Sequence, residues 1–187
     1  MKIIHVTDTH FIPAGQTLYG RDPATALERC IADINRNHPD AERCVITGDL
    51  THWGEPEAFD HLKQHLDQLK VPLRLLVGNH DNRDIFRQRF GDHPCDENGF
   101  IQSVEDLSVG RFIYLDTNKP GHHEGWYCEQ RMQWLEEQFA AAKGKDLYLF
   151  MHHPPFDIGI PALDRISLVQ KGAFSEVVKP HRDQIRH

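Results

Sequence analysis

The chain has 187 residues, 39% of them apolar and 26% charged, a balance that suits one soluble α/β-sized domain with its own core and excludes a disordered or fibrous chain. A formal net charge of −7 argues against broad electrostatic capture of nucleic acid, which needs a basic face. It leaves room for an anionic substrate, because bound divalent metals reverse the sign of a local site.

The predicted elements alternate strand and helix. Residues Lys2 to Thr7 form a β-rich run ending at a polar cluster, with no leader resembling a signal peptide before it. Pro23 opens a helix with Leu27, Ile31 and Ile34 on one face. Arg43 to Thr47 is a second strand, ending at Gly48-Asp49, and Phe59, Leu62, Leu66 and Leu69 mark the next helix. Leu73 to Val77 is a third strand, ending at Gly78-Asn79-His80-Asp81, and Asp84 to Phe90 a short helix. After a loop over Gly91 to Gly99, strands are predicted at Phe100 to Val104 and Phe112 to Leu115, the second ending at Asp116. Met132, Leu135 and Phe139 mark a helix, Leu147 to Met151 a strand ending at His152-His153, and Gly172 to Val178 a final helix. There is no internal repeat and no linker, so one α/β domain over residues 1–187 is expected. No apolar run approaches membrane-spanning length. Cys30, Cys44, Cys95 and Cys128 include no CxxC pair; Cys30 and Cys44 read as core thiols, and a reducing cytoplasm is expected.

Four strands end in a polar group: Asp8 and His10, Asp49, Asn79 and His80, and His152. Ligand sites in α/β sheets gather outside the carboxyl ends of strands, so a sheet joining these ends would converge carboxylates, an amide and imidazoles. Singly, each is an ordinary turn residue. Together they are a set of metal ligands, mixed nitrogen and oxygen without thiolate, which suits iron, manganese, zinc or cobalt. Two such ions about 4 Å apart bind both the attacking and the leaving oxygen of a phosphoryl displacement. A carboxylate such as Asp49 has two oxygens and can bridge them. His80 could donate hydrogen bonds to the phosphate or protonate the leaving group, with Asp81 orienting it.

In order, Asp8-Thr9-His10, Gly48-Asp49, Gly78-Asn79-His80-Asp81 and His152-His153 resemble the motifs of the calcineurin-like metallophosphoesterase superfamily, in wording most like its class III cyclic-nucleotide and glycerophosphodiester phosphodiesterases. The resemblance extends to the Leu-Tyr-Gly at Leu18 and the Gly-Trp at Trp126. It implies a β-sandwich flanked by helices, one metal on Asp8, His10 and Asp49, and a second on Asp49, Asn79 and His152. It further implies attack on a small phosphodiester by a metal-bridging hydroxide, assisted by His80. The family's Gly-His-x-His motif, which would add a ligand to each metal, is not in the chain. The chain stops about where the strand leading to that motif would begin, and a C-terminal part carrying it is expected.

His153 either backs His152, meets substrate or packs its loop, and is carried with Tyr19 as a substrate-binding candidate. Arg21 and Trp53 also follow ligand-bearing turns. His5 reads as a core or supporting residue; His52, His61, His65 and His93 read as solvated, and His122 and His123 as surface loop. Two alternatives stand beside the phosphodiesterase: a phosphomonoesterase or nuclease on the same site, and a non-catalytic scaffold. No membrane or nucleic-acid partner is expected, and a homo-oligomer is left open.

Overall fold

The computed structural model describes residues 1–187, which form two units, Met1–His93 and Pro94–His187. The first unit contains β1 (Ile3–Val6), α1 (Pro23–Asn37), β2 (Arg43–Ile46), α2 (Pro56–Leu66), β3 (Leu73–Leu75) and α3 (Arg83–Arg89). Its sheet has the order β1-β2-β3, all parallel, with Val6 level with Ile46 and Ile46 level with Leu75. That register sets the three carboxyl ends side by side, so the turns that follow them emerge together.

The helices start and stop where side chains satisfy their open ends. The Asp22 carboxylate accepts from the Ala24 N–H at 3.0 Å and caps α1, with Pro23 at the first helical position. Leu27, Ile31 and Ile34 then lie on the buried face, each contributing roughly 1.5–3 kcal/mol when removed from water. α2 ends at Leu66, before the expected Leu69, because Asn35 of α1 binds the next turn. Its amide donates to the Gln68 carbonyl at 2.9 Å and accepts from the Lys70 N–H at 2.9 Å.

The second unit contains β4 (Ser103–Leu107), β5 (Gly110–Tyr114), α4 (Glu129–Ala141), β6 (Leu147–Phe150), α5 (Pro161–Asp164) and α6 (Lys171–Val178), followed by a 3-10 turn at Lys179–His181. β4 and β5 form an antiparallel hairpin, and β6 pairs with β5 in parallel. The last residues run along β6: Leu147 N–H donates to the Gln184 carbonyl at 2.8 Å and Leu149 N–H to that of His187 at 2.7 Å. Ile113, Leu115, Tyr127, Leu135, Leu147 and Leu168 are its fully buried core.

The mixed α/β class is as expected, with two small sheets and six helices. Two details differ. The four polar strand ends do not share one sheet, since β6, which precedes His152, pairs with β5. β4 starts at Ser103 instead of Phe100, because Asp96 holds the preceding residues in a turn, its carboxylate accepting from the N–H groups of Asn98 and Phe100 at 3.0 and 2.8 Å.

Candidate metal centre

The turns after β1, β2 and β3 are tied to one another. Asp8 N–H donates to the Gly48 carbonyl at 3.1 Å, His10 N–H to that of Asp49 at 2.9 Å, and Phe11 N–H to that of Leu50 at 2.9 Å. The third turn is fastened by the buried Asp81 carboxylate. One oxygen accepts from Leu50 N–H at 3.0 Å and Gly78 N–H at 2.9 Å; the other accepts from the N–H and hydroxyl of Thr51 at 2.8 and 2.9 Å. Asp81 therefore holds the site's backbone together. The His80 ring is bonded through Nδ1 to the His52 carbonyl, which accepts at 2.7 Å.

Close packing explains one glycine of the motif. A Cβ on Gly78 would stand 2.2 Å from Asp49 Oδ1 and 2.4 Å from the Asp49 backbone nitrogen, so no other residue fits there. Backbone strain also gathers here. Asp8, His10, Tyr19 and Asp49 have φ of 57, 44, 49 and 47°, left-handed conformations that non-glycine residues avoid. Strain of this kind, roughly 1–3 kcal/mol per residue, persists where function requires the geometry.

The result is a carboxylate with two separate engagements. Asp49 is 4% exposed; its Oδ1 accepts from the His80 N–H at 3.0 Å. Its Oδ2 faces His10 Nε2 at 3.8 Å and His80 Nε2 at 4.0 Å, and Asp8 Oδ1 lies 3.5 Å from the same His10 nitrogen. For metal–ligand bonds near 2.1 Å, neighbouring ligand atoms stand roughly 3.0–3.6 Å apart. The Asp8–His10 and His10–Asp49 separations are near that spacing, so these residues could share a divalent cation. The hydrogen bond with Asp8 raises the His10 pKa, against burial and with help from the Asp49 charge. Burial pushes the Asp81 carboxyl up to about 6, while its bonds from backbone N–H groups pull the other way.

His10, Asp49, His80 and Asp81 are thereby brought together, with Asp8 beside them and Asn79 half-buried in the turn between Gly78 and His80. His152 lies in the second unit, after β6, with its ring against His153 at 4.7 Å. His153 is 2% exposed; its Nδ1 pairs with the Thr117 hydroxyl at 2.7 Å and its Nε2 with the His123 carbonyl at 3.2 Å. In this geometry the ring both backs His152 and packs its loop, with each ring nitrogen engaged within the protein. His5 is exposed on β1, paired with the Thr47 hydroxyl at 2.9 Å, so it is not a core residue.

His52 is the residue that sequence reasoning missed. It is not a solvated loop histidine: its Nδ1 lies 3.3 Å from His10 Nδ1, and its ring stacks on His80 at 4.9 Å and 25°. One nitrogen from each of His10, His52 and His80 lies within 4.8 Å of the others. Burial and the nearby imidazoles lower the His52 pKa. The signal available was its place three residues after Asp49 in the same turn. His61, His65 and His93 are also engaged. His61 binds the Ile12 carbonyl at 3.0 Å and His65 at 3.1 Å, and His93 accepts from Leu75 N–H at 3.1 Å.

Residues 1–173 match the family described as calcineurin-like phosphoesterase. The chain is 43% identical over 181 residues to a Rhodopseudomonas palustris protein named "Probable cyclic nucleotide phosphodiesterase", covering 95% of this chain and 66% of that one. It is 32% identical over 174 residues to the glycerophosphodiester phosphodiesterase GpdQ of Enterobacter lignolyticus, covering 89% and 62%. The chain therefore spans less than two thirds of the length of these relatives. Among solved structures, the purple acid phosphatase of yellow lupin seeds shares the fold, with a TM-score of 0.60 at 16% identity over 82% of this chain and 30% of that one.

Proposed function

We propose that this chain, which belongs to the calcineurin-like phosphoesterase family, carries the metal-holding turns of a hydrolase that cleaves small phosphodiesters of the cyclic-nucleotide or glycerophosphodiester type. The observation that carries the reading is Asp49, fixed through Oδ1 by the His80 N–H and presenting Oδ2 toward the imidazoles of His10 and His80. Asp8, His10 and Asp49 would hold one ion; Asp49, Asn79 and, by its motif, His152 would hold the other. The mixed nitrogen and oxygen donors suit manganese, iron, zinc or cobalt. When bound, such ions supply positive charge that offsets the phosphoryl oxygens and lowers the pKa of water.

The residues of the chain supply position and a proton. A carbonyl can only accept, so the His80 Nδ1 bonded to His52 carries hydrogen, and Nε2 is the nitrogen directed toward Asp49. Protonated there, His80 can donate to a phosphoryl oxygen or to the departing alkoxide. Asp81 keeps the second and third turns in register, so that Asp49 and His80 stay within reach of each other. No helix is long and apolar enough to cross a membrane, and the four free, dispersed thiols support a cytoplasmic setting.

The test is hydrolysis of bis-p-nitrophenyl phosphate after manganese loading, with metal content measured in parallel, on this chain and on any longer natural form. Manganese-dependent turnover that His80→Ala cuts by about 100-fold or more, with metal content unchanged, is the expected result. Bound metal without turnover in either form would overturn the reading and leave a scaffold.

A further inference from the structure

Two aromatic side chains beside the metal-holding turns lie mostly in solvent. Tyr19 is 87% exposed and Trp53 59% exposed. Both rings set an edge against His52, Tyr19 at 6.0 Å and 85° and Trp53 at 4.5 Å and 78°. His52 in turn stacks on His80. The two aromatics thus continue the imidazole cluster outward into solvent.

The turn that presents Tyr19 sharpens the point. Leu18 and Arg21 exchange both backbone hydrogen bonds, at 2.8 and 2.9 Å, and the two residues between them have φ of 49 and 74°. Positive φ at both central positions is a type I′ turn, which prefers Asn followed by Gly. Gly20 obeys the rule. Tyr19 violates it, holding a large apolar ring in water on a strained backbone. An asparagine would suit the turn better, so the tyrosine is explained by what its ring does. Trp53 occupies the turn that carries Asp49 and His52, and its indole also lies mostly in solvent.

We propose that Tyr19 and Trp53 form a stacking subsite for the planar base of a nucleotide diester, on the His52 side of the Asp49 centre. The inference rests on the phosphodiesterase reading above and narrows its substrate to nucleotides. An aromatic face binds a base by stacking, whereas a glycerol group offers no π surface. Stacking reads the face of a base and not its edge, so adenine and guanine are accepted alike.

The experiment compares AMP with ribose 5-phosphate as ligands of the manganese-loaded chain, by calorimetry, in wild type, Tyr19→Asn and Trp53→Ala. Tyr19→Asn keeps the turn, and neither residue holds metal, so both variants should bind ribose 5-phosphate as wild type does. The wild type should bind AMP about ten-fold or more tightly than ribose 5-phosphate, GMP should match AMP, and each variant should lose most of that preference. Equal binding of AMP and ribose 5-phosphate by the wild type would overturn the stacking subsite and leave the phosphoesterase reading standing. So would a preference that survives both substitutions. Binding of neither phosphate would overturn the phosphoesterase reading, and this inference with it.

Discussion

Asp49 and His80 hold each other from both ends: the His80 N–H donates to Asp49 Oδ1 at 3.0 Å, and the His80 Nε2 stands 4.0 Å from Asp49 Oδ2. Backbone fixes one oxygen and leaves the other directed at the imidazoles. A metal arriving here meets a carboxylate already oriented, so little ordering entropy remains to be lost on binding.

That arrangement depends on Gly78. In Gly78→Ala the new methyl carbon would lie 2.2 Å from Asp49 Oδ1 and 2.4 Å from its backbone nitrogen, far inside the contact distance of about 3.5 Å. Backbone cannot yield as a flexible side chain does. The substitution should cost about 1–3 kcal/mol of stability and weaken manganese binding by about 10–100-fold. Thermal unfolding with and without manganese checks both; an unchanged manganese-induced Tm shift would contradict the packing argument.

The second unit carries its own test of a buried charge. Arg131 of α4 is 3% exposed, donates to the carbonyls of Asp116 and Asn118 at 2.6 and 3.1 Å, and lies 3.6 Å from the fully buried Asp116 carboxylate. Its guanidinium also lies over the Phe100 ring at 4.5 Å. Arg131→Ala removes the cation beside the buried Asp116 carboxylate, which keeps its bonds from the Ile101 and Asn118 N–H groups, and should destabilise by about 3–5 kcal/mol. Denaturant unfolding would show this as a lower midpoint, and a loss below about 1 kcal/mol would mean that the pair is not buried in solution.

Acid should weaken the β4–β5 hairpin. Asp106 faces Arg111 across the two strands, with both carboxylate oxygens 2.9 Å from the guanidinium and one of them 3.0 Å from Lys145. The Arg111 hydrogen bonds, with further help from Lys145, hold its pKa well below the usual carboxylate range. A depressed folded pKa contributes stability that is complete above the unfolded value near 3.8 and is lost as pH falls toward the folded one. Because Asp106 is 41% exposed, solvent screens the pair to less than about 1 kcal/mol. Asp106→Asn should therefore unfold slightly earlier than wild type at pH 7, with the gap narrowing steadily as pH falls below 3.8; a gap that widens in acid would reverse the assignment.

The placement of the proposed site could be read from the sequence because the proposed ligands sit where strands stop. Asp8, Asp49 and Asn79 each follow a β-rich run, and the parallel register of β1, β2 and β3 makes those ends level. The faces of α1 and α4 were equally visible through Leu27, Ile31 and Ile34 and through Met132, Leu135 and Phe139, all buried. Periodicity reports which face of an element is covered but not which strand pairs with which, so the division into two sheets was hidden. His52 was missed because its place depends on the packing of three rings contributed by separate turns, two pairs edge-on and one stacked. Arg131 gave no signal either, since its burial depends on carbonyls at Asp116 and Asn118 that only the folded chain brings close. Tyr19 left a partial trace: Leu-Tyr-Gly-Arg contains the glycine of a turn, while the turn type that makes the tyrosine anomalous is a property of the backbone.

The most direct test of the account is manganese stoichiometry in Asp49→Asn. The amide oxygen can keep the hydrogen bond from His80, so the turns should stay folded, but the second oxygen, the one facing both imidazoles, becomes an NH2 group that cannot ligate. If Asp49 bridges two ions, this one substitution should reduce binding at both, whereas Asp8→Ala should spare the ion held by Asn79. Wild-type manganese content in a folded Asp49→Asn protein would contradict the central claim.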